Sequence, residues 1–89
     1  MASAEATIVN RLGLHARAAA KLTQLASCFK SEVWLTRNGR RINAKSIMGV
    51  MMLAAGKGSS VTIDTDGADA DAALAAVQKL IADKFDESE

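Results

Sequence analysis

The chain has 89 residues, of which 49% are apolar and 24% are charged, with 11 Lys and Arg against 10 Asp and Glu. A chain of this length builds one hydrophobic core, so we expect a single domain over residues 1–89. The balanced composition excludes a disordered chain, and the large aromatic residues are too few for a platform on which bases stack.

Sequence features narrow the class of protein further. The one cysteine, Cys28, cannot form an internal disulfide, and with His15 alone it cannot make a structural metal site. The N-terminus lacks the pattern of a signal peptide, and no apolar run approaches the roughly 20 residues of a membrane span. We therefore expect a cytoplasmic protein with no membrane insertion, no metal and no cofactor.

The first predicted elements are a strand, a loop and a helix. Residues 6–9 are strand formers, and residues 10–14 contain Gly13, a natural turn residue. From residue 16 to residue 26, apolar side chains recur at spacings of three and four, which indicates an amphipathic helix with a face of small residues. His15 falls at or beside the N-terminus of this helix.

A hairpin is expected next. Residues 32–36 are rich in strand formers, and they lead into Asn38-Gly39. This dipeptide supplies the positive φ angles of a tight turn, so residues 40–43 should return antiparallel to the preceding strand.

The second half of the chain predicts a short helix, a strand and a long helix. Ser46 stands where an N-cap is expected for a helix that reaches Ala55, and residues 60–64 alternate as a half-buried strand does. The last and longest helix begins among Asp69 and Asp71, whose charges complement a helix N-terminus. Its apolar face consists of Leu74, Val77, Leu80, Ile81 and Phe85. This order of elements predicts an α+β fold with one antiparallel sheet and helices packed on one face.

His15 and Arg17 are candidates for phosphate chemistry. The first amides and the dipole of a helix favour an anion at its N-terminus, and the guanidinium of Arg17 in the first turn is placed to bind phosphate oxygens. A neutral imidazole is also a competent nucleophile near neutral pH. A histidine that merely occupies a helix start would have the same local sequence, so composition leaves both interpretations open.

Ser46 and the apolar residues after it raise two more questions. Most N-cap serines have no other role, and phosphorylation is the alternative function. More apolar side chains follow Ser46 than one buried stripe of a short helix can hide: Ile47, Met48, Val50, Met51, Met52 and Leu53. Some of them should face solvent and form a soft surface for a partner, although core packing is the other explanation.

Binding of nucleic acid or of a nucleotide has less support from the sequence. Seven basic residues could attract an acidic partner or nucleic acid, but such residues usually form only a solvated face: Arg11, Arg17, Lys21, Arg40, Arg41, Lys45 and Lys57. Residues 56–59 lack the spacing of a nucleotide-binding phosphate loop, and they follow a predicted helix instead of preceding one. We expect binding of neither nucleotides nor nucleic acid.

Two segments resemble a known family. NRLGLHARAAAKL, over residues 10–22, is similar to the active-site signature of HPr, the histidine-containing phosphocarrier of bacterial phosphotransferase systems. NAKSIMGVMML, over residues 43–53, resembles the segment of HPr with the regulatory serine and the docking helix. The resemblance extends over about residues 4–85. It implies an open-faced β-sandwich, in which a four-stranded antiparallel sheet has three helices on one face.

The same resemblance implies a role for each matching residue. His15 would take a phosphoryl group on Nδ1 from enzyme I, with Arg17 and the backbone of Ala16 and Arg17 around the phosphate. An acceptor of the EIIA type would receive it. Ser46 matches the serine that an HPr kinase modifies in many relatives. The docking positions would be Ala16, Arg17, Ala20, Ile47, Met48 and Met51. We therefore expect a carrier that is not itself a catalyst, and we expect a monomer.

One residue departs from the family pattern, and two other classes of protein stay open. Ala18 replaces the usual proline, which fixes φ in a first helical turn, whereas Ala is compatible but less restrictive. In a small binding module for RNA or a ligand, His15 would be structural. In an interaction-only regulator, Ser46 would govern binding. Retention of phosphate on His15 would argue against the binding module.

Overall fold

Four strands form one antiparallel sheet in the computed structural model, which describes residues 1–88. Across the sheet the order of the strands is β1-β4-β2-β3. Every neighbouring pair in this order is antiparallel. The strands are β1 (Ala2–Thr7), β2 (Glu32–Arg37), β3 (Arg40–Asn43) and β4 (Ser60–Asp66).

Three helices pack on one face of this sheet: α1 (Ala16–Ser27), α2 (Ile47–Met52) and α3 (Ala70–Ala82). Alternate residues of β2 and β4 point toward them and are buried, as the period of two along a strand requires. These strand residues share one apolar core with residues of all three helices. The fold class predicted from the sequence is therefore confirmed. No helix within residues 1–88 has the length and apolar character needed to cross a membrane.

The hairpin between β2 and β3 forms as predicted. Asn38 and Gly39 both have positive φ, at 52° and 80°. These angles match the twist of the two strands and allow a two-residue connection.

On the sheet face opposite the helices, the guanidinium of Arg41 lies 4.2 Å from the ring centroid of Trp34, within the range of a cation–π contact.

The predicted bounds of two elements, β1 and α2, differ from the structure by three residues or more. Strand β1 spans Ala2–Thr7 instead of residues 6–9, because its alternating small residues pair with β4 along their whole length. The β-branched Ile8 and Val9 lie just beyond the strand. Helix α2 ends at Met52 instead of Ala55, since Ala54 adopts a positive φ of 51°, which a right-handed helix cannot continue.

The end of the chain also differs from the prediction. Phe85 was expected on the apolar face of the last helix, but α3 ends at Ala82 and a separate turn follows, Lys84–Asp86. The three residues of this turn have φ between 56° and 62°, in the left-handed region. The Phe85 side chain is nevertheless fully buried in the core. Burial of this ring therefore holds the turn against the body of the protein.

Asp69 connects the start of α3 to the loop before β2. We expected its charge to complement the helix N-terminus, but its carboxylate accepts hydrogen bonds from the backbone N–H groups of Lys30, at 3.0 Å, and Ser31, at 2.9 Å. It also accepts a hydrogen bond from the Ser31 hydroxyl. These bonds, with the Ser31 hydroxyl contributing most, lower the pKa of Asp69 to about 2.

Replacement of Asp69 is expected to reduce stability in a pH-dependent way. In Asp69→Asn the free energy of unfolding should be lower at neutral pH, since the charged acceptor is lost. The carboxylate contributes above its ordinary pKa of 3.8, and this contribution disappears as the pH falls through about 2. Denaturant unfolding of both proteins from neutral pH to about pH 2 should therefore show curves that converge.

The matched control is Asp71→Asn, which removes the same charge from the first turn of α3. It should leave the pH dependence of unfolding close to that of the wild type. A constant difference between wild type and Asp69→Asn over the whole pH range would contradict the assignment.

Candidate functional site

The loop before α1 places His15 at the helix N-terminus. His15 is the N-cap, with extended backbone angles of φ −74° and ψ 178°, and its carbonyl accepts a hydrogen bond from the backbone N–H of Ala19 at 2.8 Å. Within residues 1–88 the His15 side chain makes no capping hydrogen bond. The amides of the first turn are therefore not occupied by the imidazole that precedes them.

This loop is fixed against the segment that follows α2. The backbone N–H of Leu14 donates to the carbonyl of Ala55 at 2.9 Å, and the Leu14 side chain is buried. Gly13 has a φ of +66°, and a Cβ there would lie 2.5 Å from the Ala55 oxygen and 2.8 Å from the Cα of Gly56. Only glycine satisfies both the backbone conformation and the close approach.

The imidazole of His15 contacts the end of the chain. Its Nε2 lies 2.6 Å from Oε2 of Glu87, and the two side chains are 28% and 16% exposed. The other carboxylate oxygen of Glu87 accepts a hydrogen bond from Nδ2 of Asn10 at 3.0 Å. The hydrogen bond from Asn10, followed by that from His15, lowers the pKa of Glu87.

A shallow cavity surrounds His15. Arg11, Arg17 and Lys21 provide positive charge along it, and Asp86 and Glu87 provide negative charge. Arg17 is exposed in the first turn of α1, so its side chain can reach a group bound at the helix N-terminus. Among residues 1–88 the cations at this cavity outnumber the acids, and this electrostatic environment favours an incoming dianion.

Other residues of the expected site lie around the start of α1. The side chain of Ala16 is exposed, and that of Ala20 is half-buried. Ala18 is fully buried, and α1 begins at Ala16 although the chain has no proline in its first turn. The helix start that presents His15 thus forms with Ala at position 18.

Ser46 is the N-cap of α2, as predicted. Its Oγ accepts a hydrogen bond from the backbone N–H of Gly49 at 3.1 Å, and the residue is exposed. Val50 and Leu53 are buried after it. The remaining large side chains of the helix are 40–67% exposed, and we call them the apolar patch: Ile47, Met48, Met51 and Met52.

The basic residues do not form one continuous face. Arg37 and Arg40 donate to the carbonyls of Leu53, at 2.9 Å, and Met52, at 3.1 Å, and so stabilise the C-terminal end of α2. Arg41 lies on the opposite side of the sheet, over Trp34. The cations around His15 are therefore a smaller and more local group than the sequence suggested.

Glu87 and the role of Asn10 could not be anticipated from the sequence. Glu87 is 72 residues away from His15, and it follows the helix in a segment without periodicity. Asn10 belongs to the predicted loop, but a polar loop residue gives no sign that it is fully buried. The one available signal is Phe85, an apolar residue close to the end of the chain that needs a place in the core.

Comparisons with known proteins identify relatives of this chain by sequence and by fold. The family described as "PTS HPr component phosphorylation site" matches residues 2–83. The phosphocarrier protein HPr of Cupriavidus necator is 61% identical over 89 residues, 100% of each chain, and HPr of Neisseria meningitidis is 58% identical over 82 residues, 92% of each. The crystal structure of HPr-C-His from Thermoanaerobacter tengcongensis matches with a TM-score of 0.96 at 40% identity, and the match covers 100% of both chains.

The fold, together with a histidine at the N-terminus of α1, is that of a phosphocarrier protein. The chain belongs to the HPr family of the phosphotransferase system.

The contact at Gly13 leads to a stability prediction. Gly13→Ala forces a Cβ into the backbone at Ala55, so we expect the free energy of unfolding to fall by about 1–3 kcal/mol from the clash, in addition to the cost of the positive φ. The NMR signals of the His15 ring should shift as the loop moves. Denaturant unfolding and ring spectra measure the two effects.

Gly58→Ala is the control, since Gly58 has a φ of +90° but no atom within 4 Å of the added Cβ. It should show the cost of the backbone conformation alone and leave the His15 signals in place. Equal destabilisation by the two substitutions would contradict the close approach at Gly13.

Proposed function

We propose that this protein is a phosphoryl carrier: His15 accepts a phosphoryl group from phospho-enzyme I and passes it to an EIIA-type acceptor of a sugar-transport or regulatory phosphotransferase system. The observation that carries the proposal is the position of His15 as the N-cap of α1, beside Arg17 in a cavity rich in cations. The protein acts as a cytoplasmic monomer with a single domain over residues 1–89. It is a substrate of its partners and not a catalyst by itself.

The site supplies charge stabilisation and a nucleophile, and its partners supply the rest. Phosphoryl transfer depends mainly on alignment of the reacting atoms and on stabilisation of charge on the equatorial oxygens. The backbone amides of Ala16 and Arg17, with about half a positive charge at the helix N-terminus, favour the phosphate bound to the ring. The exposed guanidinium of Arg17 offers paired hydrogen bonds to the same oxygens.

Partner docking is assigned to the surface formed by the start of α1 and the apolar patch. α1 and α2 pack against each other, so Ala16, Arg17 and Ala20 belong to the same helical layer as Ile47, Met48 and Met51. Methionine side chains adapt to differently shaped surfaces, which suits a carrier that binds a donor and an acceptor in turn.

The central experiment is transfer from phosphoenolpyruvate through a bacterial enzyme I. Intact-mass measurement and phosphorus NMR should show a single acid-labile phosphate on the wild type and none on His15→Ala. An unphosphorylated wild type, beside an enzyme I that charges another HPr, would support the binding module or the interaction-only regulator instead.

The rate of the same reaction tests Arg17. In Arg17→Ala we expect transfer to slow by at least about tenfold, because a charge-assisted contact to the phosphate is lost. Stability should hardly change, since an exposed arginine contributes little to it. Arg41→Ala, which removes an arginine from the opposite side of the sheet, should transfer at the wild-type rate.

Ser46 is proposed as a regulatory site that acts through charge. A phosphate on its exposed Oγ would place negative charge at the start of α2, beside Ile47 and Met48 of the apolar patch. An HPr kinase would be the modifying partner. The modification should weaken docking more than it changes the fold, because a helix N-terminus tolerates an anion.

Ser46→Asp separates charge from capping. Asp and Asn are both good N-caps, so Ser46→Asp and Ser46→Asn should unfold at similar denaturant concentrations. We expect only Ser46→Asp to bind enzyme I more weakly, by about threefold to tenfold, because a solvent-exposed charge contributes about 1 kcal/mol at contact distance. Titration calorimetry measures the affinities, and equal affinities of the two variants would remove charge at Ser46 as the cause.

A further inference from the structure

The segment after α3 is folded back onto the candidate site. Lys84, Phe85 and Asp86 all have left-handed φ angles, which residues other than glycine rarely adopt. Two contacts hold this turn in place: the Phe85 ring is fully buried, and Nζ of Lys21 donates a hydrogen bond to the Phe85 carbonyl at 2.7 Å. The turn thereby directs the next residue, Glu87, toward α1.

Glu87 joins two residues of the loop before α1. One carboxylate oxygen lies 2.6 Å from Nε2 of His15, and the other accepts a hydrogen bond from Nδ2 of Asn10 at 3.0 Å. Asn10 is fully buried, and its Nδ2 also donates to the carbonyl of Gly13 at 2.9 Å. Both partners of this amide nitrogen are acceptors, so the orientation of the Asn10 side chain is fixed.

The charge of Glu87 determines which ring nitrogen of His15 carries the proton. Hydrogen bonds, that from Asn10 first, lower the pKa of Glu87, so the group is a carboxylate at neutral pH and can only accept. Nε2 of His15 must therefore be the donor. In a neutral imidazole the other nitrogen, Nδ1, then holds the lone pair.

We propose that Glu87 is a positioning residue, which holds the His15 ring with its proton on Nε2 and presents the lone pair of Nδ1 to the phosphoryl donor. This inference rests on the proposed phosphocarrier function and adds a residue to it. The role resembles that of a carboxylate that orients a histidine in a hydrolase, in that Glu87 touches only the nitrogen that does not react.

The lone pair of Nδ1 forms a bond to phosphorus, and the bond from phosphorus to the donor's leaving atom breaks with its electron pair returning to the donor. The ring keeps the proton on Nε2 and becomes positively charged when the new bond forms. The Glu87 carboxylate faces this proton and stabilises the charge at the moment it develops.

In the part of the chain that the structure describes, the other charged groups at the cavity do not duplicate this contact. Arg11, Arg17 and Lys21 are cations, and their side chains cannot accept a hydrogen bond from Nε2–H. Asp86 is an acid in the same cavity, and it provides the matched control for a loss of negative charge next to Glu87.

The test compares Glu87→Gln with Asp86→Asn. Both substitutions remove one negative charge, at adjacent positions of the chain, but only the first removes the charged acceptor from His15. Proton and nitrogen NMR of the labelled proteins should show a hydrogen-bonded Nε2–H in the wild type and in Asp86→Asn. In Glu87→Gln its exchange with water should be at least about tenfold faster, as expected for the loss of a charge-assisted hydrogen bond.

Transfer kinetics with enzyme I provide the second measurement. Glu87→Gln should lower kcat for phosphorylation by about tenfold with the KM for the carrier almost unchanged, because positioning of the ring is lost while docking is retained. Asp86→Asn should not lower kcat, because Nε2 of His15 keeps its charged acceptor. Thermal unfolding by circular dichroism confirms that both variants are folded.

The outcomes separate this inference from the proposed function. A wild type that takes no phosphate overturns both. If the wild type and Glu87→Gln are phosphorylated at the same rate and show the same Nε2–H exchange, the carrier function stands. The proposed role of Glu87 is then wrong. Faster transfer in Glu87→Gln would identify the carboxylate as an obstacle to phosphate and would overturn the role as well.

Discussion

The close approach of the Gly13 backbone to Ala55 is the constraint on which the site depends. It ties the loop before α1 to the segment that follows α2, with the hydrogen bond from Leu14 to Ala55 beside it. His15 and the apolar patch are consequently parts of one rigid frame. A carrier binds successive partners, so its reactive atom must keep a constant position relative to its docking surface. This contact fixes that position.

The second constraint is the C-terminal turn. Three left-handed residues cost about 1–2 kcal/mol each, and burial of a phenylalanine ring returns about 1.5–3 kcal/mol. The hydrogen bond from Lys21 to the Phe85 carbonyl adds roughly 1.5–3 kcal/mol. These amounts nearly cancel, so the hydrogen bonds of Glu87 to Asn10 and His15 decide how firmly the tail is held.

Local sequence signals predicted most of the fold. Asn38-Gly39 specifies its turn through backbone conformation, and Ser46 specifies a helix start through its side-chain oxygen, so neither needs distant contacts. Strand β1 was misplaced because its first residues have low strand propensity and are held by pairing with β4, which is tertiary information. Helix α2 was predicted too long because nothing in its sequence announces the positive φ of Ala54.

Only part of the candidate site could be predicted, because local sequence patterns do not show contacts between distant parts of the chain. His15 and Arg17 lie in one helical turn, so a local pattern places them together, whereas Glu87 reaches His15 only through the course of the whole chain. Its approach depends on the end of α3, the left-handed turn and the burial of Phe85, and each of these is a property of the folded core. A one-dimensional pattern does not contain such a contact.

The position of the phosphate on the ring tests the account most directly. After transfer from enzyme I to nitrogen-labelled protein, the phosphorus–nitrogen couplings of the His15 ring identify the atom that is bonded to phosphorus. We predict a bond from phosphorus to Nδ1, with the proton retained on Nε2 toward Glu87. Phosphate on Nε2 would contradict this arrangement, since Nε2 would then have to lose its hydrogen bond to the Glu87 carboxylate.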